Sequence, residues 1–150
     1  MKLGILVAGV CVAVAGVAMA AEEFASAKEA EALVNKVVAA LKANRAQTFK
    51  EITDKDAKWI DRDLYPTVMD LSGKVLAHGQ NPKMVDKDLI DFKDPDGKLF
   101  YKERMELAKS KGKFWQDYKF TDPISKKVLP KQAYCYALTD AVVCAGVYKR

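Results

Sequence analysis

The sequence is short of the residues that build metal and redox centres. It holds one histidine, His78, and three cysteines among 150 residues. A single histidine excludes a His-rich metal site. No Cys-x-x-Cys occurs, with or without a following histidine, which excludes covalent haem. No cofactor is expected. Charge of one sign is not concentrated either: 25 Lys and Arg and 20 Asp and Glu are dispersed and mixed, giving a formal net charge of +5. Without a block of like charge there is no nucleic-acid patch. A catalytic pairing is missing too, since Ser72, Ser110 and Ser125 lie in apparent turns with no histidine beside them. We therefore do not read the chain as an enzyme. Asp94-x-Asp96-Gly97 has the look of a calcium loop but lacks its closing bidentate glutamate. It reads as a helix-entry turn.

Long apolar runs are confined to the start. Lys2, the run from Leu3 to Val17 and the small residues Ala18-Met19-Ala20 form a secretory signal pattern, with cleavage expected after Ala20. The alternative is an uncleaved membrane anchor. The run is short against the about 20 residues a bilayer needs, it contains three glycines, and acidic Glu22-Glu23 follows it. The expected location is periplasmic or secreted. Removing residues 1–20 leaves 130 residues and a net charge of +4, a size suited to one domain spanning 21–150.

Ala21 to Ala43 has the spacing of one long amphipathic helix, with Ala30, Leu33, Val34, Val37, Val38 and Leu41 on a single stripe. A shorter helix follows around Ala46, Phe49 and Ile52. Leu64–Met69 and Lys74–His78 then form a hairpin about Asp70-Leu71-Ser72-Gly73, and Pro66 marks its first strand as an edge or a bulge. Gly79–Gly97 is too apolar for a free linker and reads as an ordered loop over the sheet. Leu99–Ser110 is helical, and Lys113–Thr121, Lys127–Leu138 and Ala141–Tyr148 are strands. Helices followed by about five antiparallel strands make an α+β domain.

Two cysteines lie beyond the leader, Cys135 and Cys144. A tight turn at Thr139-Asp140 pairs Leu138 with Ala141, and that register sets Cys135 directly opposite Cys144. Opposed residues have Cβ atoms about 4.5–5.5 Å apart, close to disulfide geometry. A structural disulfide is the reading for an oxidising compartment; a reduced or reversible redox pair is the alternative.

Five segments, in order, resemble one family. They are Asp70 to His78 with Asn81-Pro82; Asp94 to Lys98 with Phe100 and Glu103; Gly112, Trp115 and Tyr118 with Asp122-Pro123; Pro130-Lys131 with Tyr134; and Gly146-Val147-Tyr148. Together they resemble the type 2 single Cache domain, an extracytoplasmic PAS-like sensor module. The resemblance implies a long N-terminal helix on one face of a roughly five-stranded antiparallel sheet. It implies a small-molecule pocket on the other face, under the Gly79–Gly112 region. Family members commonly bind small organic acids, and most are flanked by transmembrane helices leading to chemoreceptor or kinase output. No second membrane span follows here, so the resemblance implies a free-standing form working through a membrane receptor or kinase partner. The long helix offers a homodimer seam, although its stripe is already needed for the sheet.

The resemblance puts a ligand-facing lysine at Lys131, beside Pro130 at a strand entry. A carboxylate needs such a fixed cation within walls that exclude water. Tyr65, Tyr101, Tyr118, Tyr134, Tyr136 and Trp115 are wall candidates that also donate hydrogen bonds. Strand alternation separates Tyr118 from Trp115, and sets Lys131 with Cys135 rather than with Tyr134 and Tyr136. Which face lines the pocket stays open at this level. His78 either anchors the loop structurally or serves as a titratable ligand donor. The leading function is binding of C2 to C4 carboxylates. The alternatives are an interaction protein docking on a membrane receptor and a redox-responsive module using Cys135 and Cys144.

Overall fold

The structure is a computed structural model that describes residues 23–150. The expected leader, its cleavage after Ala20 and the alternative anchor lie outside the described residues. Among the described residues no helix is long and apolar enough to cross a membrane.

Helix α1 spans Ala27–Ala43, starting later than the Ala21 suggested by periodicity. Ser26 sets the boundary. Its hydroxyl accepts the Glu29 N–H at 3.3 Å, while the Glu29 carboxylate accepts the Ser26 N–H at 2.7 Å, a reciprocal capping box. The expected stripe is buried from Ala30 to Leu41, with Leu33 only half-buried. Asn44 ends α1 and caps α2 (Arg45–Thr53), its side chain accepting the Gln47 N–H.

Strands β1 (Pro66–Asp70), β2 (Val75–His78), β3 (Lys113–Thr121), β4 (Val128–Ala137) and β5 (Ala141–Tyr148) form one antiparallel sheet in the order β2-β1-β5-β4-β3. The expectation of an edge strand at Pro66 is corrected here. β1 lies inside the sheet, between β2 and β5. Proline is tolerated because it is the first residue of the strand, where its carbonyl accepts the Gly79 N–H. The irregularity falls at Val68/Met69 instead.

One face packs on α1 through Val68, Ala77, Tyr134, Val143 and Ala145. The other, carrying Met69, Phe114, Ala133 and Val142, is covered by α3 (Phe100–Lys111) and the 79–99 segment. That segment is ordered by backbone bonds along the outer edge of β2: Val75 N–H to Lys87 O and Asp86 N–H to Val75 O. It thereby occupies hydrogen-bonding groups that would otherwise template another strand. At its far end Asp94 accepts the N–H groups of Asp96, Lys98 and Lys119 at 2.9–3.0 Å, the expected helix-entry turn. Cys135 and Cys144 are paired in the β4–β5 register, with Cα atoms 4.2 Å apart, and form a disulfide on the α3 face.

Candidate functional site

Tyr118, Lys131 and Tyr148 make one cross-strand row over β3, β4 and β5. The β4 register is regular, so Lys131 shares its face with Cys135, and the row lies on the α3 side. Lys131 is 3% exposed. Its ammonium donates to the Tyr65 hydroxyl at 2.9 Å and the Tyr148 hydroxyl at 3.2 Å. These hydroxyls are 3.0 Å apart, and Tyr148 donates onward to the Thr121 carbonyl at 2.7 Å. The cation also lies 4.1 Å from the Tyr65 ring centroid and 4.6 Å from that of Tyr148. Burial drives its pKa down to about 7, and the nearby Arg104 charge pushes the same way. Asp63 and Asp122 oppose that shift from a distance. Both are fully buried and are held by Arg150 at 2.8 Å each.

Arg104 is the second buried cation, 2% exposed on the inner face of α3. Its guanidinium lies 5.1 Å from the Tyr101 ring and 5.2 Å from that of Tyr118. Nε donates to Gln116 Oε1 at 3.0 Å. Gln116 is fixed in turn, its Nε2 donating to the Phe100 carbonyl and to Glu103. Nη1 reaches only the Met69 sulfur, and Nη2 has no hydrogen-bond partner among the described residues. A buried, unmet N–H on a charged group costs about 1–3 kcal/mol or more. Neither Arg104 nor Lys131 forms an ion pair among the described residues.

His78 ends β2 and lies against the Tyr65 ring, centroids 5.4 Å apart. Its Nδ1 accepts the backbone N–H groups of Gln80 and Asn81 at 3.1 and 3.0 Å, which assigns the proton of the neutral ring to Nε2. Burial, then the charges of Lys131 and Arg104, lowers its pKa to about 3. It anchors the covering loop as a neutral acceptor.

Tyr65, His78, Tyr101, Arg104, Tyr118 and Lys131 line one cavity of about 10 Å³, closed below by Ala133, Cys144 and Gly146. That is room for about one water molecule. Gly146 is required in this floor. A Cβ there would lie 2.7 Å from the Gln132 carbonyl oxygen and 2.8 Å from the Ala133 Cα, both backbone atoms of the neighbouring strand.

Five of the expected residues thus meet around the cavity: Lys131, Tyr65, His78, Tyr101 and Tyr118. Trp115 and Tyr134 do not. They pack on each other on the α1 side of the sheet, centroids 5.2 Å apart, and Tyr136 lies on that side with them. Alternation along β3 and β4 forces this placement. Arg104 and Tyr148 were not anticipated. The spacing Phe100, Tyr101, Arg104, Met105 and Ala108, one buried stripe of α3, is the signal that places Arg104 inward.

The fold is that of Cache sensor domains. The single Cache domain 2 family model matches residues 3–149, and the chain belongs to that family. The methyl-accepting chemotaxis protein McpP of Pseudomonas putida is 30% identical over 90 residues, which are 59% of this chain and 16% of that protein. The match therefore spans only a small part of that relative. Among solved structures, a methyl-accepting chemotaxis protein from Vibrio parahaemolyticus shares the fold at a TM-score of 0.69 and 22% identity, over 81% of this chain and 86% of its own. A Cache chemosensory domain known for carboxylic acid recognition superposes at 0.66 with 25% identity, over 82% and 88%. A periplasmic sensor domain of a chemotaxis protein superposes at 0.65 with 24% identity, over 82% and 90%.

Proposed function

We propose that the domain is an extracytoplasmic sensor that binds small organic acids of two to four carbons and acts through a separate membrane receptor or kinase. One observation carries this reading. Two buried cations, Lys131 and Arg104, line one cavity without an ion pair between either and any described residue, and Arg104 Nη2 has an unmet N–H. A carboxylate supplies the opposite charge that both lack and the acceptor that Arg104 lacks, in a low-dielectric setting where such bonds are strong. Tyr65 and Tyr148 hold the ammonium, Tyr101 and Tyr118 flank the guanidinium, and His78 ties the loop over the site. The carboxylic acid recognition attributed to the Cache chemosensory neighbour supports the same ligand class.

The test is thermal unfolding of the purified protein with acetate, propionate, pyruvate and succinate. Ligand at about 100 times its Kd stabilises by about 2.7 kcal/mol, a shift of several degrees at this size. We expect saturable stabilisation by one of these acids, abolished by Lys131→Met and weakened by Arg104→Gln. A panel without any shift sinks the proposal, as does a shift that both variants retain.

A further inference from the structure

The cavity around the two cations has room for about one water molecule and not for a carboxylate, so one wall must yield when an acid enters. The strand walls are poor candidates. Lys131, Ala133, Cys144 and Gly146 are held in the β4–β5 ladder, and the disulfide fastens it two residues from Ala133. Phe120, near the end of β3, differs. It is half-buried, and its ring meets Phe100 and Tyr118 edge-on at centroid distances of 6.1 Å each.

Phe120 also lines two larger spaces. One is a hollow of about 320 Å³ bordered by Tyr65, His78, Asn81 and Met84. The other is a groove of about 540 Å³ with an apolar surface from Met84, Leu89, Phe92, Phe120 and Val128. Phe92 and Val128 are 45% and 48% exposed there, a cost in apolar surface that the fold leaves uncovered. The groove does not repel anions. Lys87, Lys93 and Lys119 border it, and the carboxylate of Asp94, its one acidic residue, is occupied by three backbone N–H groups.

We propose that Phe120 is the movable partition of the site, and that the groove beyond it receives the apolar tail of the bound acid. This rests on the carboxylate reading above and extends its ligand class. The preferred ligands are monocarboxylates with an aliphatic or aryl tail, the head at Lys131 and Arg104 and the tail past Phe120 against Met84, Leu89, Phe92 and Val128. Polar tails and tails bearing a cation are disfavoured.

The experiment is calorimetric titration of the purified protein with acetate and with hexanoate. Each methylene that leaves water tightens binding by about fourfold. Hexanoate is therefore expected to bind at least tenfold more tightly than acetate. Phe92→Ser and Val128→Ser, both at exposed positions, are expected to remove most of that advantage while leaving acetate binding unchanged. Acetate binding with no gain for hexanoate overturns the tail site and leaves the carboxylate reading standing. So does a gain that survives both serine variants. Absence of binding by either acid overturns the tail site, and the underlying reading fails with it if the four-acid panel also gives no shift. Hexanoate binding that persists at full strength in Lys131→Met makes the groove an independent apolar site and overturns the proposal. So does a dimer, seen by sedimentation, that dissociates in Phe92→Ser, because the groove then belongs to a second copy of the chain.

Discussion

The two faces of the sheet are built on opposite rules. Under α1 the packing is apolar: Val34, Val37 and Leu41 share one cluster with Val68, Ala77 and Val143, joined by Trp59 and Tyr134. Under α3 the same sheet buries Lys131, Arg104, Gln116 and His78 among aromatic rings. Such a face gains less from burial, because each polar group must recover from protein partners what it loses from water. Among the described residues the buried side-chain atom that stays unmet is Arg104 Nη2. One face packs apolar groups, and the other keeps buried charge beside a cavity.

The sharpest way to break this comparison is to give the stable face a charge. Val37→Asp buries a carboxylate with no partner and is expected to cost about 3–5 kcal/mol, enough to unfold a marginal domain. Equilibrium denaturation and far-UV circular dichroism read this directly. If Val37→Asp is tolerated, the contrast between the faces is wrong.

Next in size is the clamp beneath the cavity. Replacing Cys135 and Cys144 together by alanine removes a link closing a short loop, sequence separation 9, and is expected to cost about 2–3 kcal/mol in urea denaturation. The row Tyr118–Lys131–Tyr148 lies four residues along both strands from this link. The double variant should therefore bind acids more weakly even where it remains folded.

Lys131→Met reverses the expectation for a core residue. It removes a buried charge and keeps most of the volume, while Tyr65 and Tyr148 retain each other and Thr121. The ligand-free protein should be unchanged or more stable by about 1–3 kcal/mol. The pH dependence sharpens this. The pKa of Lys131 is depressed to about 7 in the folded state, whereas an unfolded lysine titrates near about 10.4. Between those values the unfolded chain binds more protons, so this group makes stability rise with pH from about 7 to about 10. Lys131→Met should flatten that rise. His78 contributes at the acid end by the same sign, its stabilisation being lost as pH falls from about 6.5 to about 3. A wild-type profile that matches the methionine variant above pH 7 contradicts a buried cation.

The smallest effect is expected at Trp115, which is 37% exposed on the α1 side. Trp115→Ala should cost about 1 kcal/mol and leave acid binding untouched, as titration of the variant would show.

Most of the architecture was legible because it rests on periodicity. The α1 stripe follows from a 3.6-residue repeat, and the Cys135–Cys144 pairing follows from the turn register at Thr139-Asp140. Ser26 was missed as the start of α1 because the apolar stripe begins only at Ala30 and does not fix the boundary, and caps act through hydrogen bonds that hydropathy does not register. The site was half legible. Lys131 was found through resemblance, but its face was decided only by the unbroken β4 ladder. Trp115 and Tyr134 lie on the α1 side, away from the cavity: residue type alone made them wall candidates, while alternation had already set Trp115 apart from Tyr118. Arg104 stayed hidden for a different reason. Among Lys102, Glu103 and Glu106, a charged helical residue reads as solvated, and only its phase with Phe100, Tyr101 and Ala108 shows that it turns inward.

The unmet N–H of Arg104 has a consequence for the lifetime of the molecule. A protein that lacks one acceptor in its own interior is less stable than the same chain supplied with that acceptor from outside, and the difference acts on how often it opens. Protease sensitivity follows the open population. On the carboxylate reading, an occupied domain is expected to be cut more slowly than a vacant one, so the amount of protein that persists rises with the supply of the acid.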